Sequence, residues 1–159
     1  MGDDGQAYTA RDVAMAVRRL DLMMSQMHLE MCERLGLSAG ELLALAHLSL
    51  AGALGPTELT HRLHMTTGAM TAMLDRLAER GFVVREPHPT DRRRIVVKLS
   101  ATGREQIFTQ VHGMAGAVVA LSERLSAAER GAVVGYVEEL SEIIAAPVAG
   151  TGRGDLTEA

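Results

Sequence analysis

Apolar positions along the chain follow two rhythms, one helical and one extended, and their order predicts the architecture. Val13, Val17, Leu20, Met24, Met27 and Met31 recur at alternating spacings of four and three. That is an amphipathic stripe close to a coiled-coil period, long for a helix serving only its own small core. Thr9, with Asp12 three residues on, suits an N-cap and Gly36 suits a C-terminal glycine, placing the first helix from Thr9 to about Leu35. Ser38 to Glu41 reads as a capping box that opens a second helix to about Leu50. Leu42, Leu43, Leu45, Ala46 and Leu48 make it apolar nearly all round, so it is expected at the centre of the molecule. Ala51 to Gly55 breaks it. Pro56 and Thr57 start a short third helix through about Leu63. After a turn at His64 and Met65, Thr66 caps a fourth helix to Arg80, with Met70, Met73, Leu74 and Leu77 on one face and Gly81 at its end.

The rhythm then changes. Phe82 to Glu86 and Arg94 to Leu99 have strand composition, and Pro87 to Arg92 between them is turn-like, which predicts a β-hairpin with a basic tip. Ser100 is the next cap. A fifth helix spans about Ala101 to Leu125, with Ile107, Val111, Met114, Val118 and Leu121 along a face. A second capping box, Ser126 to Glu129, opens a sixth that carries Val133, Tyr136, Val137, Leu140, Ile143 and Ile144 and stops at Pro147. The tail from Gly150 is small and polar and is expected to fray. The predicted class is mainly α (α+β): six helices and a two-stranded β-wing.

Composition adds limits. With 159 residues the chain supports one or two small units sharing a core. Tryptophan is absent and methionine numbers 10, so the interior must be built from Leu, Val, Ala and Met. Cys32 is the only cysteine, which excludes an intrachain disulfide. The acidic, polar start, Met1 to Gly5, has no leader character, and no apolar run approaches the ~20 residues that span a bilayer. A cytoplasmic location is expected.

Net charge is −4, which taken alone disfavours a nucleic-acid partner. Its distribution does not. Residues 54–104 hold nine Arg and Lys against five Asp and Glu, a net +4, leaving −8 on the remainder. A basic middle between acidic ends suggests a surface for a polyanion.

The basic segment contains two short helices joined by a tight turn and followed directly by the basic hairpin, the layout of a winged helix-turn-helix. An α-helix fits the DNA major groove, where each base pair presents its own donor and acceptor pattern. Off the apolar face of the fourth helix stand Thr67, Gly68, Thr71, Ala72, Asp75 and Arg76. Near the N-terminus these are small and hydroxyl-bearing, allowing close backbone approach at the positive end of the helix dipole. The hairpin tip, Asp91 to Arg94, offers guanidinium groups on a thin projection, suited to a narrow minor groove. Asp91 can hold that tip in shape.

The stretch from Pro56 to Glu105 resembles the core of the MarR family of bacterial regulators. The resemblance is carried by LDRLAERGFV at the join of helix and wing, PTDRRR at the wing tip and VKLSATG leading into the next helix. The flanking helices match the six-helix plan of that family, so the likeness covers nearly the whole chain. It implies an intertwined homodimer of winged helix-turn-helix units binding double-stranded DNA. Residues 1–35 and 101–147 would be dimerisation helices, 36–100 the DNA-binding domain and 148–159 a flexible tail. The major-groove reader would lie at about 66–80, including Thr66, Thr67, Gly68, Thr71, Ala72 and Arg76. The wing tip Asp91, Arg92 and Arg93 would enter the minor groove, Arg93 as the probe. Two recognition helices about one turn of DNA apart, ~34–36 Å, imply a pseudo-palindromic operator. By family habit the outcome is repression, and family members often respond to small anionic or aromatic molecules bound between the DNA-binding lobe and the dimer helices. The Met-rich first helix could line such a pocket, although methionines at helical spacing more often serve simply as core.

An alternative is a metal- or redox-responsive regulator of the same kind. His28 and Cys32 sit at i, i+4, and Glu41, His47 and His112 are further donors. No dense His/Cys motif accompanies them, and the neighbours Met31 and Glu33 do not stabilise a thiolate at Cys32. A buried structural cysteine with no bound metal or cofactor is expected. His61 and His64, inside the helix-turn-helix, suit phosphate or solvent contact. No nucleophile elbow, phosphate loop or HExxH is present, so an enzyme is not expected.

Overall fold

The computed structural model describes residues 8–91 and 93–146. Expectations placed on Met1 to Gly5, Arg92, Pro147 and the tail fall outside them. Six helices and one hairpin follow the predicted order: α1 (Ala10–Leu35), α2 (Ala39–Ala51), α3 (Pro56–Arg62), α4 (Thr67–Glu79), β1 (Val83–Pro87), β2 (Ile95–Leu99), α5 (Ala101–Glu123) and α6 (Ala127–Ala145). The local signals act as anticipated. Thr9 with Asp12, Ser38 with Glu41 and Ser126 with Glu129 each form a reciprocal capping box, satisfying amides that a helix start leaves unpaired. Gly36, at φ 62°, closes α1 in the left-handed conformation.

The chain divides into two compact units, residues 1–110 and 111–159. In the first, Leu45, Leu48, Leu59, Met70, Leu74, Leu77 and Val97 are almost fully buried and join α2, α3, α4 and the hairpin in one core. β1 and β2 pair antiparallel, from Val83 opposite Leu99 to Pro87 opposite Ile95. His88 donates its amide to the Arg94 carbonyl, so the neighbouring Pro87–Ile95 pair is a non-hydrogen-bonded one and the missing proline N–H costs the ladder nothing. Leu54 bridges the free edge of β2 through two backbone bonds with Val97.

α5 enters this unit by a very close approach. Ser100 caps it, accepting from the Gly103 amide at 2.8 Å and donating its hydroxyl to the Gly81 carbonyl. A methyl group on Gly103 would overlap the Phe82 carbonyl group and come within 2.8 Å of its Cα. Only glycine fits where the first turn of α5 meets the start of the hairpin.

Two expectations need correction. α2 is not buried all round: Glu41, Leu42, Ala44, Leu45 and Leu48 are buried, but Leu43, which borders an open cleft, and Leu50, near the helix end, are exposed. Cys32 is half-buried at the wall of that cleft rather than fully enclosed. The α1 stripe, expected to serve more than the helix's own core, is buried only at its Met31 end, with Leu20 62% exposed. In the second unit no described residue is buried, and Val133, Val137, Ile143 and Ile144 stand open.

Candidate nucleic-acid interface

The helix-turn-helix is α3 and α4 joined through His64, whose φ of 51° turns the chain in the left-handed region. The Thr66 hydroxyl accepts from the Ala69 amide and starts α4. Met70, Met73, Leu74 and Leu77 bury one face, which fixes the opposite face outward. Thr66, Thr67, Gly68, Thr71, Ala72 and Arg76 all lie exposed there, with Asp75 half-buried beside them. A methyl group on Gly68 would lie in open space. The fold therefore does not require glycine at this position. A small exposed surface at a helix N-terminus permits close approach of another molecule.

Most cations of the basic segment have partners. Arg62 pairs with Glu58 and Lys98 with Glu86, each at 2.7 Å. Arg85 on β1 pairs at 2.7 Å with Asp75 on α4. Arg76 Nε donates to Glu41 Oε1 at 3.1 Å. Arg80 donates to the carbonyls of Gly36 and Leu35 and lies 5.2 Å from the centre of the Phe82 ring. Arg93 and Arg94 at the wing, and Arg104 in the first turn of α5, are exposed and form no ion pair among the described residues. Asp91 holds the tip by accepting from the Arg93 backbone amide at 3.1 Å, while the Arg94 amide donates to the Asp91 carbonyl.

The Arg76–Glu41 and Arg80 contacts were not foreseen from sequence. Their partners lie 35 to 45 residues away, and only the capping role of Glu41 is a local signal. Burial would raise the Glu41 pKa, but hydrogen bonds from the Ser38 amide and hydroxyl and the Arg76 guanidinium outweigh it and hold the carboxyl below its ordinary value.

A cleft of about 380 Å³ opens between α1 and α2, lined mostly by apolar groups, with Ser25, His28 and Cys32 contributing polar atoms. Glu41 is not available to it as a metal ligand, being engaged by Ser38 and Arg76. Among the described residues no set of three His, Cys, Asp or Glu is placed to hold a metal ion. No helix among them is long and apolar enough to cross a membrane.

A helix-turn-helix carrying a basic two-stranded hairpin behind its second helix defines a winged-helix DNA-binding protein. Residues 37–95 match the MarR family. The chain is 39% identical over 82 residues to the multiple antibiotic resistance protein MarR of Escherichia coli, an alignment spanning 52% of this chain and 56%, about half, of that protein. It is 35% identical over 104 residues to an uncharacterised HTH-type transcriptional regulator of Mycobacterium leprae, covering 65% of this chain and 70% of that one. The apo crystal structure of E. coli MarR superposes with a TM-score of 0.53 at 25% identity, over 88% of this chain and 99% of the other. NadR in complex with 4-hydroxyphenylacetate does so at 0.60 and 19%, over 92% and 100%. The chain belongs to the MarR family of transcriptional regulators, which are non-enzymatic DNA-binding proteins.

Proposed function

We propose that this chain is a cytoplasmic repressor that binds pseudo-palindromic operators as a homodimer. In this reading residues 36–100 are the DNA-binding domain, 1–35 and 101–147 interlock with a second copy, and 148–159 form a tail. Residues 66–80 enter the major groove with Thr66, Thr67, Gly68, Thr71, Ala72 and Arg76 toward the DNA. Asp91, Arg92 and Arg93 enter the minor groove, Arg93 as the probe and Asp91 as the brace of the tip. The carrying observation is the placement of charge. The reading helix presents small groups while its neighbouring cations are held by protein partners, and the exposed arginines Arg93 and Arg94 crown the wing.

The dimer reading rests on apolar faces too extensive for a solvated monomer. Leu20 on α1 and Ile143 and Ile144 on α6 are 62%, 71% and 73% exposed. Two-fold pairing of identical readers is what makes the operator pseudo-palindromic. The test is a gel shift with the intergenic DNA beside the gene. Wild type should retard that duplex, and the R92A/R93A variant should lose binding while remaining dimeric. Equal affinity and equal salt dependence in the two proteins would reject the DNA-reading role of the wing.

The α1–α2 cleft favours a further element, a small-molecule effector. Its apolar walls with a few polar atoms suit an aromatic acid, and the NadR complex is an instance of such a ligand on this fold. The effector would weaken DNA binding by changing the spacing of the two recognition helices. Crystals with and without ligand that keep one half-site spacing would contradict this.

A further inference from the structure

Glu41 is the one buried charged residue among those described, at 6% exposure, and it faces two elements at once. Its Oε2 accepts from the Ser38 amide at 2.9 Å and the Ser38 hydroxyl at 3.0 Å, securing the first turn of α2. Its Oε1 accepts from Arg76 Nε on α4. One residue earlier, a methyl group on Gly40 would touch the Met73 side chain of α4 at 3.3 Å, so the two helices meet closely at this point. One turn further on, at the C-cap of α4, Arg80 donates at 2.9 and 2.6 Å to the carbonyls of Gly36 and Leu35, groups that the end of α1 would otherwise leave unpaired. The recognition helix is thus fastened to the α1–α2 corner by two arginines, each aimed at an oxygen of that corner.

We propose that Arg76 serves DNA reading as a positioning residue: through Glu41 it fixes the recognition helix on the α1–α2 corner, rather than reading a base or anchoring a phosphate itself. Arg80 acts beside it in the same sense. This rests on the DNA-reading role given to α4 above but replaces the DNA-facing part given there to Arg76, leaving contact with DNA to Thr66, Thr67, Gly68, Thr71 and Ala72. The chemistry requires a carboxylate and a guanidinium. Both Glu41 oxygens are in use, and glutamine keeps only one acceptor oxygen, so E41Q satisfies Ser38 or Arg76 but not both. The corner also forms the wall of the cleft, since Ala39 and Leu42 of the same turn line it. A change in the cleft therefore has a direct mechanical route to α4.

The experiment is a double-mutant cycle of E41Q and R76Q, read by fluorescence anisotropy on operator and on unrelated duplex at several salt concentrations. Each single variant is expected to weaken operator binding on the order of tenfold, and the double variant no further. Affinity for unrelated duplex and the salt slope should match wild type. A direct phosphate anchor behaves otherwise: R76Q would weaken both duplexes, the slope would fall by about one charge, and E41Q would bind normally. That result overturns the proposal, as do additive losses or no loss in R76Q. Arg76 is more than half exposed, so R76Q decides by slope and by operator preference even if E41Q fails to fold. A wild-type protein that bound no duplex would instead overturn the proposed function on which this rests.

Discussion

The two compact units of this chain use apolar residues in opposite ways. In residues 1–110, leucines and methionines from α2, α3 and α4 close on Phe82, Val83, Val97 and Leu99 of the hairpin region, and the unit has a core of its own. In residues 111–159 the described helices are equally rich in Val, Leu and Ile, yet none of their described residues is buried. A soluble helix does not leave Ile143 and Ile144 nearly three-quarters exposed without a partner surface. The winged unit is consequently self-sufficient in packing. The second unit is not, and the proposed second copy of the chain supplies what it lacks.

The largest effect should come from charging the open face of α6. V137D/I144D is expected to convert dimer to monomer in light scattering and weaken operator binding by about 10²–10⁴-fold through lost bivalency. The winged unit should keep a cooperative unfolding transition. Full affinity retained by a monomer would break the comparison. Next in size is L45A, which empties a fully buried site and should cost about 2–5 kcal/mol in urea unfolding, independent of protein concentration. I143A should instead act in a concentration-dependent way if, as proposed, a second copy of the chain covers α6.

Smaller again is G103A. Its methyl meets the Phe82 backbone, which cannot swing aside as a side chain can, and a loss of about 1–3 kcal/mol is expected in the same assay. The smallest effect concerns acid. The folded-state pKa of Glu41 lies below its ordinary value, so its carboxylate stabilises the winged unit at neutral pH. That contribution fades as pH falls through the ordinary glutamate range and then through the lower folded value. Unfolding followed from neutral pH downward should show a shallower acid decline in E41Q than in wild type.

Much of the architecture was legible because its determinants are local. Two capping boxes, the Thr9 cap, Gly36, Gly81 and the change of rhythm at Phe82 place every element to within a few residues. Thr66 and the face opposite Met70, Met73, Leu74 and Leu77 likewise placed the candidate reading surface. The failures have one physical origin. Whether Leu43 or Leu50 is buried depends on which surface comes to cover it, and periodicity reports a face without naming its partner. The net +4 of the basic segment likewise did not tell which cations are held by protein partners. Glu41, Asp75 and the carbonyls of Leu35 and Gly36 engage Arg76, Arg85 and Arg80, while Arg93 and Arg94 of the hairpin tip are exposed without an ion pair among the described residues. Arginine count was visible in the sequence, whereas arginine availability required the fold.

That retained charge is the most exposed point of the account. The measurement is anisotropy of R93A against wild type on the intergenic duplex from 50 to 200 mM salt, with the dimer verified by light scattering. Arg93 is expected to contact the DNA, so R93A should bind more weakly by about 1–3 kcal/mol and lose about one unit of salt slope while remaining dimeric. Identical affinity and slope in the two proteins would contradict it.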